Sequence, residues 1–171
     1  MKSKLIIFII PLLVVSVIAP PAFATEPAIT KEQASKISES CSATRQSLKN
    51  LQRADSRART YFGAIYETVS SKYLKPMNLR LVNNDISSPD LIDLQTSLAA
   101  ARLDFSDDFI AYSKTLEELI SIDCRLEPEN FYKKLIITRE KRAKVAADVK
   151  TINGFLTSIV KHAEKLKESL K

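Results

Sequence analysis

The chain has two glycines, one histidine, two cysteines and no tryptophan in 171 residues. So little glycine leaves no glycine-rich phosphate loop and few of the tight turns that hairpins and sandwiches need. One histidine removes the H-E-x-x-H metal site, and two cysteines beside it cannot supply a Cys/His zinc spacing. A G-x-S-x-G nucleophile elbow is missing as well. Strand-like alternation of apolar and polar residues does not appear. Behind residue 24 no stretch approaches the ~20 apolar residues of a membrane-spanning helix. These absences exclude the common all-β and α/β designs and leave an all-α fold. They also leave no catalytic, cofactor-binding or metal-ligating residue to nominate, so the chain reads as a protein that is not an enzyme and needs no cofactor.

What is present begins with MKSKLIIFIIPLLVVSVIAPPAFA. Lys2 and Lys4 precede an apolar run from Leu5 to Ile18, and Ala22-Phe23-Ala24 offers small residues for cleavage before Thr25. This is the pattern of a secretory signal peptide over 1–24. The competing reading is a retained N-terminal anchor. Cleavage would give a mature chain of 25–171, long enough for one domain with its own core. An exported protein of this kind is expected in a periplasmic, extracellular or cell-surface setting.

Prolines and caps divide the mature chain. Thr30-Lys31-Glu32-Gln33 is a capping box. Lys75-Pro76 should end the first helix, because proline disfavours helical geometry in the residue before it. Ser88-Pro89-Asp90 and Glu127-Pro128-Glu129 are further starts, with proline in the first turn and acid on the positive helix end. The spacing predicts helices near 30–75, 89–125 and 128–169. Residues 76–88 would be a connection, with Leu79, Leu81, Val82 and Ile86 tucked over the bundle end.

Each helix carries an apolar seam. The first runs from Ala34 through Cys41, Leu48, Asp55, Ala58 and Phe62 to Val69. The second runs from Leu91 through Ala101, Phe105, Phe109 and Tyr112 to Leu119, with a stutter between Ala101 and Phe109 that should straighten the supercoil. The third runs from Phe131 through Thr138, Arg142, Val149 and Ile159 to Leu170. Sustained 3-4 spacing predicts an up-down-up antiparallel three-helix bundle of long helices with coiled-coil-like packing.

Folding the first two helices into a hairpin sets Cys41 and Cys124 at the same distance from the turn. That coincidence predicts an intramolecular disulfide in an oxidising compartment; two free thiols or an interchain bond are the alternatives. The long loop it would close is worth ~4 kcal/mol in the chain-entropy model. The same levels bring Asp55, Asp108 and Arg142 together, predicting a buried ion cluster with Arg142 between two acids. Its role would be register and specificity rather than stability or acid–base chemistry. Gly63, Ala64, Ala99, Ala100, Ala101 and Gly154 also share a level, which suggests close helix approach or a shallow groove at a waist. Tyr61, Tyr66 and Tyr73 flank the first seam and, with Phe62 and Tyr112, could form an aromatic side. His162, beside the third seam near Tyr73, reads as a packed or surface side chain.

Charge is segregated. Residues 25–84 carry ten Lys/Arg against five Asp/Glu, residues 85–130 three against eleven, and residues 131–171 eleven against four. An acidic helix between two basic ones favours this pairing. The excess leaves a possible basic binding face at Arg53, Arg57, Arg59, Lys133, Lys134, Arg139, Lys141 and Lys144; a merely solvated face is the alternative. Partners of an exported basic bundle would be an unknown protein or an anionic envelope component. Nucleic acid is disfavoured by export and by the lack of aromatics among the basic residues. The chain could be a monomer or homodimer. The expected function is non-catalytic binding of a partner in the cell envelope or outside the cell. The alternative is a holdase-type chaperone or anionic lipid or envelope-polymer binder that exposes its apolar seams, with the third helix as the mobile element.

Overall fold

The computed structural model describes residues 29–169. The signal segment, its cleavage point and Leu170 lie outside the described residues. The chain forms α1 (Lys31–Glu67), a π-helical segment (Thr68–Leu74), α2 (Lys75–Asn83), α3 (Pro89–Ser121) and α4 (Pro128–Ser169). No strand occurs among the described residues. Three helical rods pack on one another: α1 with its π-helical and α2 continuation, then α3, then α4. None of the described helices is long and apolar enough to cross a membrane.

The start of α1 follows its sequence signal. The Thr30 hydroxyl accepts from the Gln33 N–H at 3.2 Å, and the Thr30 N–H donates to the Gln33 side chain at 2.8 Å. The end does not follow. Pro76 fails to stop the first rod, which runs on to Asn83. In a regular α-helix the proline ring would strike the carbonyl four residues back and leave it without a donor. Here the preceding turns widen: the Lys75 N–H bonds to the Ser70 carbonyl, five residues back. A π-turn makes room for the ring where an α-turn cannot. The connection therefore shrinks to residues 84–88. It is closed by Ile86 N–H to Leu81 O at 2.9 Å and Asp85 N–H to Val82 O at 3.1 Å. That is a Schellman motif, with Asp85 at φ 57° in the left-handed seat that glycine usually takes. Leu81 and Ile86 pack into the core as expected. Leu79 and Val82 lie on the outer side of α2 and stay exposed.

Pro89 opens α3, but the Ser88 side chain makes no capping bond. The helix stops at Ser121 rather than 125, because Ile122 turns extended and Asp123 organises the corner. The Asp123 carboxylate accepts from the Arg125 N–H at 2.9 Å, and its carbonyl from the Leu126 and Glu127 N–H groups. This is an Asx-type turn. It delivers Pro128 to the first position of α4.

Two registers describe the bundle. Between antiparallel α3 and α4, the pairs Asp90–His162, Asp108–Lys144 and Glu118–Lys134 keep a constant alignment. Between α1 and α4 the offset is 87 residues at both Asp55–Arg142 and Tyr66–Asn153. The core is unevenly shared. The α3 helix buries its whole seam: Leu91, Leu98, Ala101, Phe105, Phe109, Tyr112, Thr115, Leu116 and Leu119. Facing it, α4 buries Phe131, Thr138, Ile152 and Ile159. Along its 37 residues α1 buries only Cys41, Leu48 and Tyr66. It buries little, yet it is tied at three heights: by the cysteine pair, by Asp55 to Arg142 and Tyr112, and by Tyr66. Neither glycine serves a close approach: a Cβ at Gly63 or Gly154 would meet nothing within 4 Å.

Candidate functional site

At the first end of α1 the two cysteines come together at disulfide distance, with Cα atoms 5.5 Å apart and both side chains buried. The Arg45 Nε donates to the Ile120 carbonyl at 3.2 Å, and the Ser38 hydroxyl to the Arg125 carbonyl at 3.2 Å. These bonds lace α1 to the end of α3 and hold the sulfurs in reach. At the other end Tyr66 is buried, its ring edge-on to Phe105 at 6.3 Å.

Between these fastenings sits Asp55. Its carboxylate receives three donors: Arg142 Nε at 2.8 Å, Arg142 Nη2 at 3.0 Å and the Tyr112 hydroxyl at 2.6 Å. One residue from each rod meets there. Burial pushes the Asp55 carboxyl up, but the bonds from Arg142 and Tyr112 and the Arg142 charge outweigh it and hold the group below its ordinary value. Burial and the adjoining carboxylate push the Tyr112 phenol up. The bond to Asp55 raises Arg142 further. Each shift favours the form that the group already takes at neutral pH, which suits a brace.

The expected cluster is corrected in two respects. Asp108 does not join Arg142; it pairs with Lys144 at 2.9 Å on the α3–α4 side. Nor is the cluster buried throughout: half of the Arg142 side chain faces water, while Asp55 is mostly shielded and Tyr112 is core. Shared height along the bundle is not shared azimuth. Asp55 faces inward from α1, whereas Asp108 sits one position off the α3 seam, on the side toward Lys144.

Below the Asp55–Arg142 pair lies a cavity of about 260 Å³. Its walls are Ala58 and Phe62 on α1, Phe105, Phe109 and Tyr112 on α3, and Val145, Ala146 and Val149 on α4. It exists because the α1 seam offers Asp55 and Ala58 where α3 offers phenylalanines, and the small side chains leave space. Arg59 stands at the rim, its guanidinium 5.2 Å from the centre of the Phe109 ring. On the other flank of α1, Gly63 and Ala99 line a second, wider groove with Tyr66 and Arg102. The shallow groove expected at the small-residue level is there. Phe105 and Phe109 are core, as their seam positions predict, and also wall the cavity; Phe62 borders it partly exposed, and Arg59, one of the expected basic-face residues, stands over it. The polar and small residues inside the α1 seam were the available signal for the cavity.

A second cluster bridges α3 and α4. Asp148 faces Asp104 and Asp108 across the interface, with Lys144 one turn away, and its Oδ2 is buried without a hydrogen bond. Burial, then the Asp108 carboxylate, pushes the Asp148 carboxyl above its ordinary value of 3.8. A carboxyl raised in the fold binds its proton more tightly folded than unfolded. Its contribution therefore opposes folding at neutral pH and is relieved as pH falls through the folded value. Asp148→Asn is expected to stabilise the protein by about 0.5–1 kcal/mol at pH 7, the scale of a like-charge contact at a half-open site. Thermal melts at pH 7 and pH 3 check this. A gain present at pH 7 and absent at pH 3 is the expected pattern; an equal gain at both would refute it.

The remaining residues singled out from sequence separate into paired and unpaired groups. Lys134 pairs with Glu118 at 2.8 Å, and Lys133 with Glu129 at 3.4 Å. Lys144 is taken by Asp108 and Arg59 by Phe109. Lys141 lies within the electrostatic reach of Glu118. Arg53 bonds only the neutral Asn50 side chain at 2.6 Å. Arg57 and Arg139 are exposed and have no ion-pair partner among the described residues. His162 is placed by other partners than Tyr73: its Nδ1 lies 2.8 Å from the Ser158 carbonyl and its Nε2 3.4 Å from Asp90. Tyr61 and Tyr73 are exposed, while Tyr66 and Tyr112 are core.

No grouping of His, Cys, Asp and Glu suited to a metal ion occurs among the described residues. Comparison with known proteins finds no matching family model, no matching curated protein and no matching solved structure.

Proposed function

We propose that this is an exported, non-catalytic helical bundle that binds an anionic partner in the cell envelope or outside the cell. The observation that carries the reading is the uneven neutralisation of its cations. Lys133, Lys134 and Lys144 are balanced by acids, whereas Arg53, Arg57 and Arg139 stand exposed with no carboxylate partner among the described residues. Arg53 and Arg57 are one turn apart on α1, and the 87-residue offset puts Arg53 level with Glu140, beside Arg139. Three exposed guanidiniums on two rods, within about one helical turn of one another in height, leave an excess of positive charge suited to phosphate, sulfate or carboxylate groups on a polymer or an acidic protein. The signal-like leader and the cysteine pair at disulfide distance support the export part of the reading.

The test uses the chain from Thr25 onward and dextran sulfate as a soluble polyanion. Binding is expected to weaken steeply with salt. Changing Arg53, Arg57 and Arg139 together to Gln is expected to cost about tenfold or more in affinity, since exposed charges act mainly through the summed field. Unchanged affinity in the triple variant would overturn the basic-face reading. Recovery of the protein from cytosol with Met1 in place would overturn export; an N-terminus at Thr25 in the envelope or medium supports it.

A second reading, a holdase or lipid binder that exposes apolar seams, is favoured by one observation: α1 covers its neighbours incompletely between Leu51 and Ile65. In that reading α1 is the element that moves, and the Asp55 bonds to Arg142 and Tyr112 at its middle break as it does.

A further inference from the structure

The cavity under Asp55 and Arg142 has features that a packing defect would lack. Its walls are aromatic and aliphatic, its opening faces solvent beside α1, and its polar groups gather at the rim. Such a division, apolar body and few convergent polar groups, is the usual make-up of a small-molecule site. At the rim the charges do not cancel. Asp55 is matched by Arg142, which spends two of its five N–H donors on that carboxylate. Arg59, one turn along α1 from Asp55, has no carboxylate partner among the described residues and rests only on the Phe109 ring. The rim therefore carries one uncompensated positive charge, with free donors on both guanidiniums.

We propose that this cavity binds a small amphiphilic monocarboxylate, its apolar body among Phe62, Phe105, Phe109 and Val149 and its carboxylate on Arg59. The free donors of Arg142 lie on the other side of the same opening. A guanidinium fork matches a carboxylate in two parallel hydrogen bonds. One spare cation selects a monoanion over a phosphate monoester, which carries close to two charges at neutral pH. Size bounds the body. The space, about 260 Å³ and open to solvent, lies just under the usual range for small-molecule sites, so a short amphiphile is the size that suits it and an eight-carbon acid is the probe. The Asp55 brace has a part in this: without it Arg142 would be free to fold into the opening, and the two rods that form the walls would lose their shared anchor.

The experiment is calorimetric titration of the chain from Thr25 with octanoate, and with 1-octanol and octyltrimethylammonium as neutral and cationic counterparts of the same length. Tyrosine fluorescence gives a second readout, because Tyr112 lines the site and no tryptophan masks it. One octanoate per chain is expected, at least tenfold tighter than octanol, with no binding of the cation. Arg59→Gln is expected to lose about tenfold in octanoate affinity, Ala58→Phe to abolish binding by filling the space, and Arg80→Gln on exposed α2 to leave it unchanged. Both test positions are exposed, so melting curves report whether those variants fold. Octanol binding as tightly as octanoate, or Arg59→Gln binding octanoate like the parent, overturns the proposal. The Arg53, Arg57 and Arg139 triple variant keeps octanoate binding if the site is as described, which separates its fate from that of the polyanion patch.

Discussion

Replacing Cys41 and Cys124 together by alanine is expected to lower stability by about 4 kcal/mol, the largest single effect in the molecule. The two residues are 83 apart in sequence, so the bond would close a loop through α1, the π-helical segment, α2 and nearly all of α3. Freed of that constraint, the unfolded chain gains the entropy of a long open segment. For a domain of this size the loss corresponds to a fall in melting temperature of roughly 10 °C or more. The denaturant slope adds a discriminating readout. A chain without the cross-link expands further on unfolding, so the slope should rise as the midpoint falls. Urea melts of the parent with and without reductant, beside the double alanine variant, check both. If reductant leaves the parent midpoint unmoved, the cross-link does not form, or α1 is held at that end by Arg45, Ser38 and Leu48 alone.

The register behind this prediction was legible only in part. It took a turn straight after Lys75, whereas the first rod runs on to Asn83. Cys41 and Cys124 meet although Cys41 stands 42 residues before Asn83 and Cys124 35 residues after Pro89. Heights along the rods also brought Asp55 to Arg142. They could not assign Asp108, since its partner depends on the angle at which it leaves α3. Pro76 misled for a related reason. Its steric demand is local, but it is met by a widened turn over Thr68–Leu74 rather than by a break, and no residue pattern in the sequence marks that outcome. The cavity was hidden by the seam pattern itself. Ala58 and Phe62 occupy apolar heptad positions and look like core. Whether such positions close depends on how near the facing helix comes.

The second large effect separates the two halves of the bundle. Ile152→Ala is expected to cost about 3–4 kcal/mol, because Ile152 is fully buried between α4 and α3 and close-packed neighbours collapse little into the space left behind. Phe62→Ala removes a larger side chain, yet the expected cost is about 1 kcal/mol. Phe62 is 38% exposed and already borders an open cavity, so its removal creates little new void. Its stacking on Tyr66, with ring centroids 6.2 Å apart, is most of what is lost. Denaturant midpoints measure both. The same asymmetry should appear in amide exchange: protons of α3 exchange only with global unfolding, while those of α1 near residues 52–62 exchange by a smaller local opening. If Phe62→Ala proves as costly as Ile152→Ala, the middle of α1 is true core. The cavity, and both the ligand site and the moving-α1 reading built on it, would then have no room to exist. If the costs differ as expected, α1 is a strap over a two-helix core. Its middle can then admit an apolar guest without disturbing the interface that holds the fold.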